Sequence, residues 1–297
     1  MPFPLRYLTL TLTLAMAIPA KAGTDTSSVL AIRLGHAPEA SRLFPALFTL
    51  PVFAGEASPA PVVVLVTDAY ALDQRVAELS GVMVDQGWAT LQVDLDPASH
   101  DHYLSNKADP AITSAEVWDG AAQLMGVLAY LGELSDIDPQ RVAVVGLGSG
   151  GRMALLAGAE SVGNAGTGAY GPRFAAHGAL YPGCAALAGD GYGSAVPWSS
   201  APTVLFVPGQ DLRDPPDSCA TLRRDLAAAG RPQVRWHDYP TATYGWDIGL
   251  VYGDRAVRLP VGPGRLIRIE ADPDVTMDAA ARLVSFLGPI LGARGSR

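Results

Sequence analysis

Residues 141–158 read RVAVVGLGSGGRMALLAG and place a cluster of glycines between two regular patterns. The apolar, β-branched run at 141–146 predicts a buried strand, and the segment at 151–160 predicts a helix. Glycines at such a junction permit a sharp turn and a close approach of two backbones. Two kinds of functional loop share this order of strand, glycines and helix, and the rest of the chain helps to distinguish them.

The first kind is a dinucleotide-binding turn, because Gly146, Gly148 and Gly151 spell the pattern G-x-G-x-x-G. Such a turn needs an acid at the end of the next strand, roughly 20 residues on, to bind the ribose hydroxyls. The next predicted strand, at 177–182, ends in proline instead. The motif also follows four predicted strands rather than opening the first strand–helix–strand unit. A dinucleotide-binding protein therefore stays an alternative that the surroundings do not favour.

The second kind is a nucleophile elbow of the form G-x-S-x-G-G, which Gly146, Gly150 and Gly151 frame. In this alignment the nucleophile position is Gly148, which has no side chain. Ser149 follows directly and is the nearest hydroxyl. The sequence thus has the frame of a hydrolase turn without the residue that would react.

The whole chain alternates short apolar runs with helical patterns, which predicts an α/β protein with a mainly parallel sheet, helices on both faces and a single domain. In such sheets, ligands bind at the carboxyl ends of the strands. A loop rich in glycine and serine is expected at 188–200, and a loop rich in glycine and proline at 252–266. Strands are predicted at 29–34, 47–53, 61–67, 88–95, 141–146, 177–182, 202–209 and 234–240, and helices at 72–86, 114–133, 151–160, 215–229 and 274–291.

Several segments occur together in the order and at the spacing found in one enzyme family. They are PVVVLVTDAYALDQRVAELSGVMVDQGWATLQVDL, DIDPQRVAVVGLGSGGRMALLAG, ALYPGCA, PTVLFVPGQDLRDPPDSCATLRRDL and WHDYPTATYGWD, and they cover nearly all of residues 58–250. The chain resembles the dienelactone hydrolase family. This resemblance implies an α/β-hydrolase fold with a Ser or Cys nucleophile, then an acid, then a histidine.

Matched to the family, the nucleophile position is Gly148, the acid position Asp211 and the histidine position Tyr244. Only the acid is retained, and a tyrosine with a reference pKa near 10 is a weak base at neutral pH. Ser149 is expected to supply a backbone N–H to the oxyanion hole. As a replacement nucleophile it would place Leu147 where the sharp turn ordinarily requires a small residue.

The rim of the predicted pocket is altered too, because Thr67 and Asp68 stand where the family usually has His-Gly. A carboxylate pointing inward there would oppose negative charge developing on an attacked carbonyl, whereas one pointing outward would cap a turn. The residues expected around the pocket share a position near strand ends or in adjoining loops. They are Asp68, Tyr70, His100, Trp198 and Trp246, together with Ser149, Asp211 and Tyr244; core packing is an equal explanation for the two tryptophans.

No cofactor and no metal site is predicted. The segment DLDPASHDHY holds His100 and His102 beside several aspartates, which are residue types that bind metals. Solvated loop residues are the commoner reason for such a cluster, so it does not change the prediction.

The N-terminal residues predict export. Arg6, an apolar run from Leu8 to Ile18 and a small-x-small site ending at Ala22 have the form of a signal peptide, which assigns residues 1–22 to the signal and 23–297 to the hydrolase-like domain. The mature chain would be periplasmic or secreted and has no segment long enough to span a membrane. Loss of the first 22 residues takes the formal net charge from −8 to −10, which disfavours binding to nucleic acid.

The chain has two cysteines, Cys184 and Cys219. In an oxidising compartment an even number favours a disulfide, which would stabilise the fold by about 3 to 4 kcal/mol on the chain-entropy model. The alternative is two separate buried thiols. The sequence alone does not bring the two sulfurs together.

These observations predict an exported dienelactone hydrolase-like protein that is catalytically impaired and binds a small ligand or a protein partner. The alternative is an active hydrolase of esters or lactones with a non-standard site around Ser149, which rests on the likeness of fold.

Overall fold

The computed structural model describes residues 16–17, 25–34, 42–68, 73–95, 112–169, 171–194, 197–231, 233–253, 256–260 and 266–292. In this part of the chain a nine-stranded sheet runs in the order β1-β2-β3-β5-β4-β6-β7-β8-β9. The strands are β1 (Met16–Ala17), β2 (Thr26–Leu34), β3 (Arg42–Leu50), β4 (Ala60–Val66), β5 (Ala89–Val93), β6 (Ile137–Leu147), β7 (Ala176–Leu180), β8 (Thr203–Gln210) and β9 (Arg235–Thr243).

The six strands from β5 to β9 in that order are parallel to one another, and β1, β2 and β3 extend the sheet beyond β5 through antiparallel pairs. Strands β10 (Val257–Pro260) and β11 (Leu266–Ile269) form a separate antiparallel pair. The helices are α1 (Gln74–Asp85), α2 (Ser114–Leu131), α3 (Gly148–Leu156), α4 (Glu160–Thr167), α5 (Cys184–Gly189), α6 (Ser218–Ala228), α7 (Gly249–Tyr252) and α8 (Pro273–Leu291). The mainly parallel sheet predicted from the alternation of patterns is confirmed.

Strand β4 shows why the fold needs helices on both faces. Its seven residues are all buried, and alternate side chains enter two separate cores. Val62, Val64 and Val66 pack in the core that holds residues of α2 to α6. Val63 and Leu65 pack in the core that holds residues of α1 and α8. A strand buried on both faces reads as a continuous apolar run, as this one does.

Several predicted boundaries shift in the structure. The loop predicted at 188–200 follows a short helix, α5, and the loop predicted at 252–266 contains β10. Strand β3 begins at Arg42, earlier than the apolar run at 47–53 indicated, because its first half is an alternating, half-exposed strand. Helix α3 begins at Gly148 rather than at 151, so the glycines themselves form its first turn.

The helices that follow loops carry local capping interactions. Thr113 and Glu116 form a reciprocal capping box at the start of α2, and Asp73 accepts a hydrogen bond from the backbone of Arg75 at the start of α1. Asp272 caps α8, whose first residue is Pro273, the position at which proline suits a helix. No helix in the described ranges is long and apolar enough to cross a membrane.

The predicted disulfide is present in the structure. Cys184 at the start of α5 is bonded to Cys219 in the first turn of α6, and their Cα atoms are 5.0 Å apart. The bond ties the loop after β7 to the loop after β8. Both loops leave the carboxyl ends of parallel strands, so the disulfide braces the edge of the sheet at which a ligand site is expected.

The junction of β6 and α3 depends on glycines without side chains. A Cβ atom on Gly150 would lie 2.2 Å from the carbonyl oxygen of Thr67 and 2.5 Å from that of Val66, both at the end of β4. A Cβ atom on Gly146 would lie 2.1 Å from the carbonyl oxygen of Gly150. The turn is therefore packed backbone against backbone, and even a methyl group does not fit.

We expect Gly150→Ala to lower the free energy of unfolding by about 2 to 3 kcal/mol, because its Cβ meets backbone atoms that cannot rotate away. Gly81→Ala is the matched control, since Gly81 lies inside α1 and its Cβ would meet nothing within 4 Å. That control should raise stability by roughly 0.5 to 1 kcal/mol through helix propensity. Urea unfolding followed by circular dichroism measures both, and equal stabilities would contradict the packing described.

Candidate functional site

The turn between β6 and α3 places Gly148 at the tip, at the carboxyl end of a central strand. Gly148 has a φ of +51°, the left-handed region that side-chain-bearing residues occupy only with strain. An elbow nucleophile is held in this kind of conformation at a cost of order 1 to 3 kcal/mol. Glycine avoids that cost because it has no Cβ. The backbone shape of the elbow is thus kept although the side chain is absent.

The space above Gly148 is occupied by two side chains of this same chain. A Cβ atom on Gly148 would lie 2.6 Å from the hydroxyl oxygen of Tyr244 and 3.1 Å from Cβ of Asp68. The carboxylate oxygen Oδ2 of Asp68 would be 3.3 Å away. A larger residue at position 148 therefore collides with Tyr244 unless that ring moves.

The Asp68 side chain points inward, which is one of the two orientations expected from the sequence, and it is paired. Its carboxylate accepts two hydrogen bonds from the Arg75 guanidinium, at 3.0 and 2.8 Å, and a third at 3.1 Å from the hydroxyl of Tyr244. Asp68 and Arg75 are 1% and 2% exposed. Burial disfavours the charged guanidinium, but Asp68, with smaller contributions from Tyr181 and Asp247, more than offsets this, so the pKa of Arg75 lies well above its usual value.

Asp211, at the acid position, is also engaged by a guanidinium. Arg213 donates from Nε and Nη2 to its two carboxylate oxygens, at 2.9 and 2.7 Å. The same guanidinium lies over the ring of Tyr244, with its central carbon 3.2 Å from the ring centroid, in a cation–π contact. In a catalytic triad the acid orients a histidine ring. Here Asp211 instead orients the Arg213 guanidinium against the ring of Tyr244.

A second buried carboxylate, Asp247, lies close to this group and was missed in the sequence. The hydroxyl of Tyr181 donates to both of its oxygens, at 2.9 and 2.8 Å. Burial raises the pKa of the Asp247 carboxyl to about 6, against the opposing attraction of Arg75. The Tyr181 ring makes edge-to-face contacts with the rings of Tyr244 and Trp246, at 5.0 and 4.8 Å between centroids. The feature of the sequence that could have pointed to Asp247 is its position directly after Trp246 in the stretch YGWD.

Ser149 is the first residue after the elbow tip. Its hydroxyl oxygen is buried and has no hydrogen-bond partner among the described residues. A serine nucleophile needs a base within hydrogen-bond reach, and among the described residues neither a histidine nor a carboxylate accepts this proton. This buried hydroxyl can both donate and accept a hydrogen bond, and it lies in the first turn of α3, whose backbone N–H groups have no acceptor within the helix.

Of the two tryptophans predicted to line the pocket, one lies beside the elbow and the other does not. Trp246 is buried against Tyr181 and Tyr239, so it forms one wall beneath Tyr244. The described ring contacts of Trp198 are with Tyr192 and Arg231 instead, in the core on the other face of the sheet. Tyr70 and His100 lie outside the described residues.

In the part of the chain that the structure describes, one group of potential metal ligands lies close together. It consists of Cys184, Cys219 and Asp214, whose ligand atoms are within 4.8 Å of one another, and both cysteines are in the disulfide. The histidines and aspartates of the segment after β5 lie outside the described residues, apart from Asp94.

The strand order and the glycine turn between β6 and α3 define an α/β-hydrolase fold. The family model described as the dienelactone hydrolase family matches residues 47–248. The chain therefore belongs to the dienelactone hydrolase family, as the sequence resemblance predicted. No match was found among curated proteins.

Solved structures of the same fold agree over almost their whole length. The dienelactone hydrolase from Anabaena variabilis is 18% identical and superposes with a TM-score of 0.59, covering 89% of this chain and 99% of its own. A dienelactone hydrolase-like promiscuous phosphotriesterase from metagenomic libraries is 16% identical, with a TM-score of 0.61 and coverage of 91% and 100%. Esterase 2 of Thermogutta terrifontis, phosphorylated by paraoxon, is 11% identical, with a TM-score of 0.61 and coverage of 90% and 96%. At these identities the likeness concerns the fold.

We expect Gly148→Ala and Tyr244→Phe to be strongly non-additive. Alone, Gly148→Ala adds left-handed strain of about 1 to 2 kcal/mol and a collision with the Tyr244 hydroxyl. With phenylalanine at position 244 the collision is gone, so the same substitution should cost less by about 1 kcal/mol or more.

Denaturant unfolding of the two single variants and the double variant measures this coupling. Gly230→Ala is the control, because Gly230 also has a positive φ, +77°, but its Cβ would meet nothing within 4 Å. Its cost should be the same in both backgrounds. A coupling energy near zero for Gly148 would show that Tyr244 does not fill the nucleophile position.

The raised pKa of Asp247 predicts a specific pH dependence of stability. The pKa of the folded carboxyl is about 6, whereas that of an aspartate in the unfolded chain is 3.8. The folded state thus binds more protons in this window, so its stability falls as pH rises from about 4 to 6, by about 3 kcal/mol in all. Asp247→Asn, which keeps an acceptor for Tyr181, should remove this dependence.

The measurement is the difference in unfolding free energy between wild type and Asp247→Asn at several pH values. Asp278→Asn serves as a control of opposite sign, because hydrogen bonds from Arg282 and Tyr239 lower the pKa of Asp278. The contribution of Asp278 should grow as pH rises. A wild-type minus Asp247→Asn difference that stays flat from pH 4 to 6 would refute the assignment.

Proposed function

We propose that this protein is a dienelactone hydrolase family member that no longer hydrolyses esters or lactones and instead binds a small neutral ligand at the former nucleophile elbow. The observation that carries the loss of hydrolysis is the filling of the nucleophile position by the Tyr244 hydroxyl, 2.6 Å from where a Cβ on Gly148 would stand. A site that still held a nucleophile would need that space. Ligand binding rests on the neighbouring Ser149 hydroxyl, which has no hydrogen-bond partner among the described residues.

In this geometry the nucleophile is absent, and the residues at the other two triad positions make different interactions from those of a triad. Gly148 offers no nucleophile, and the Tyr244 hydroxyl donates its proton to Asp68 instead of accepting one. Asp211 has both oxygens occupied by Arg213, so it is not available to orient a base. General-base catalysis requires a base within reach of the proton it removes, and these residues supply none.

The same geometry indicates what kind of small molecule the elbow would hold. The two guanidiniums nearest to it, those of Arg75 and Arg213, are already neutralised by Asp68 and Asp211. What remains without a hydrogen-bond partner among the described residues is the buried hydroxyl of Ser149, at the start of α3, where backbone N–H groups lack intrahelical acceptors. These groups suit the carbonyl oxygen of a neutral molecule better than a charged one. A protein partner is the second candidate for this surface.

An active hydrolase built on Ser149 is the alternative. It is favoured by the same unpaired hydroxyl and opposed by the fact that no base in the described ranges accepts its proton. Family membership is compatible with both, so the distinction rests on the reaction itself.

We also propose that the protein is exported after removal of residues 1–22. Support comes from the charged, apolar and small-residue segments in order, and from the disulfide, a bond that persists in oxidising compartments. The intact mass of protein recovered from the periplasm or medium of a bacterial host tests this.

The function is tested with an aryl acetate, a five-membered unsaturated lactone and a serine-directed fluorophosphonate. We expect wild type to show no label and no hydrolysis above the buffer rate. Gly148→Ser with Tyr244→His should also stay slow, because Arg213 still holds Asp211. Adding Arg213→Gln frees the carboxylate for the introduced imidazole, and labelling should then appear at the introduced serine.

Two matched variants separate the alternatives. Ser149→Ala removes the unpaired hydroxyl, and Ser285→Ala removes an exposed one on α8. If wild type binds the lactone without cleaving it, as equilibrium dialysis can show, Ser149→Ala should weaken binding about tenfold, the worth of one hydrogen bond, and Ser285→Ala should not. Wild-type hydrolysis that Ser149→Ala alone abolishes would establish the active hydrolase, and the absence of any lactone binding would rule out the small-ligand proposal.

A further inference from the structure

The disulfide lies beside a carboxylate that serves neither the elbow nor the core. Asp214 accepts a hydrogen bond from the backbone N–H of Cys184 at 2.5 Å and another from that of Ala185 at 3.1 Å. The two Sγ atoms and a carboxylate oxygen of Asp214 lie within 4.8 Å of one another. Cys184 is buried, whereas Asp214 and Cys219 are half-buried. Solvent therefore reaches one side of the group.

We propose that reduction of the Cys184–Cys219 disulfide converts this group into a site for a zinc-like divalent cation, held by two thiolates and the Asp214 carboxylate. Thiolate and carboxylate are both zinc ligands, and tetrahedral bonds of roughly 2.3 Å to sulfur and 2.0 to 2.2 Å to oxygen place ligand atoms about 3.5 to 3.8 Å apart. The Asp214 oxygen already lies within 4.8 Å of both sulfurs, whereas the two sulfurs are bonded to each other and must move apart by roughly 2 Å once reduced. The Cα atoms of the two cysteines, 5.0 Å apart, need not move far for the sulfurs to separate.

The surroundings favour a dication over a neutral ligand. The two backbone N–H bonds to Asp214 fix the carboxylate, as outer hydrogen bonds usually do for metal ligands. Arg213, a nearby cation, is already paired with Asp211. With three ligands from the protein, a fourth position on the exposed side is left for water.

Reduction requires an external two-electron donor, such as a dithiol or a phosphine. The two thiols of a dithiol exchange with the disulfide, pass two electrons and two protons to the sulfurs of Cys184 and Cys219, and become a disulfide themselves. A phosphine gives the same two thiols with water and becomes its oxide. Binding of the cation then displaces both thiol protons to solvent. The site exists only in the reduced protein, so occupancy reports the redox state of the surroundings.

The test is titration of the full-length protein with Co²⁺, a coloured substitute for Zn²⁺, under nitrogen. A water-soluble phosphine is the reductant, since it competes weakly for the metal. We expect the reduced protein to bind one Co²⁺ per chain with a thiolate-to-cobalt charge-transfer absorption, which added Zn²⁺ removes. The oxidised protein should show no such absorption.

Two aspartates of one loop give the matched comparison. Asp214→Asn keeps an acceptor for the backbone but loses the charged ligand, and should weaken Co²⁺ binding tenfold or more. Asp217→Asn removes an exposed charge at a residue with a φ of +64°, which asparagine tolerates, and should leave the affinity within about twofold. Cys219→Ser should lose the two-thiolate absorption even if Asp214→Asn does not fold.

Three results would overturn the proposal. They are equal Co²⁺ binding by the oxidised and reduced proteins, unchanged affinity in Asp214→Asn, and a reduced protein that circular dichroism shows to be unfolded with and without the metal. None of these measurements depends on ester or lactone binding at the elbow.

Discussion

The buried ion pair between Asp68 and Arg75 is the interaction on which the arrangement around the elbow depends. A guanidinium and a carboxylate that are both almost fully buried are costly to separate, because either one alone would be an uncompensated charge, at about 3 to 5 kcal/mol. The pair therefore fixes Asp68 in the inward direction. From there its Oδ2 accepts the Tyr244 hydroxyl and holds that ring over Gly148.

A second ion pair, between Arg213 and Asp211, contacts the Tyr244 ring as well. Arg213 is paired with Asp211, and its guanidinium lies over the face of the Tyr244 ring. The ring is therefore held at its hydroxyl by Asp68 and at its face by Arg213. Moving the ring would break both the hydrogen bond to Asp68 and the cation–π contact with Arg213. On the proposed function, loss of the nucleophile and histidine was thus accompanied by re-use of the retained acid. A retained aspartate is weak evidence for retained catalysis.

The sequence predicted the sheet, its helices and the residue at each triad position, because those features are local: apolar periodicity, glycines at a turn and spacing along the chain. It did not predict Arg75 or Arg213 as partners of Asp68 and Asp211. Long charged side chains look alike on a surface helix and in a buried pair, and only the fold brings them to their partners. Asp247 was missed for the same reason, since its burial depends on Tyr181 and Trp246 from elsewhere.

The conformation of Gly148 explains how the fold survives such a change. In an active elbow, a strained side chain at this φ must be held by the surrounding packing, and the stability it costs is justified by catalysis. With glycine the strain disappears, while Gly146 and Gly150 still keep β6, α3 and β4 in backbone contact. The turn consequently needs no reacting residue to keep its shape. Its geometry identifies the fold, and the groups packed above the tip determine what chemistry the fold retains.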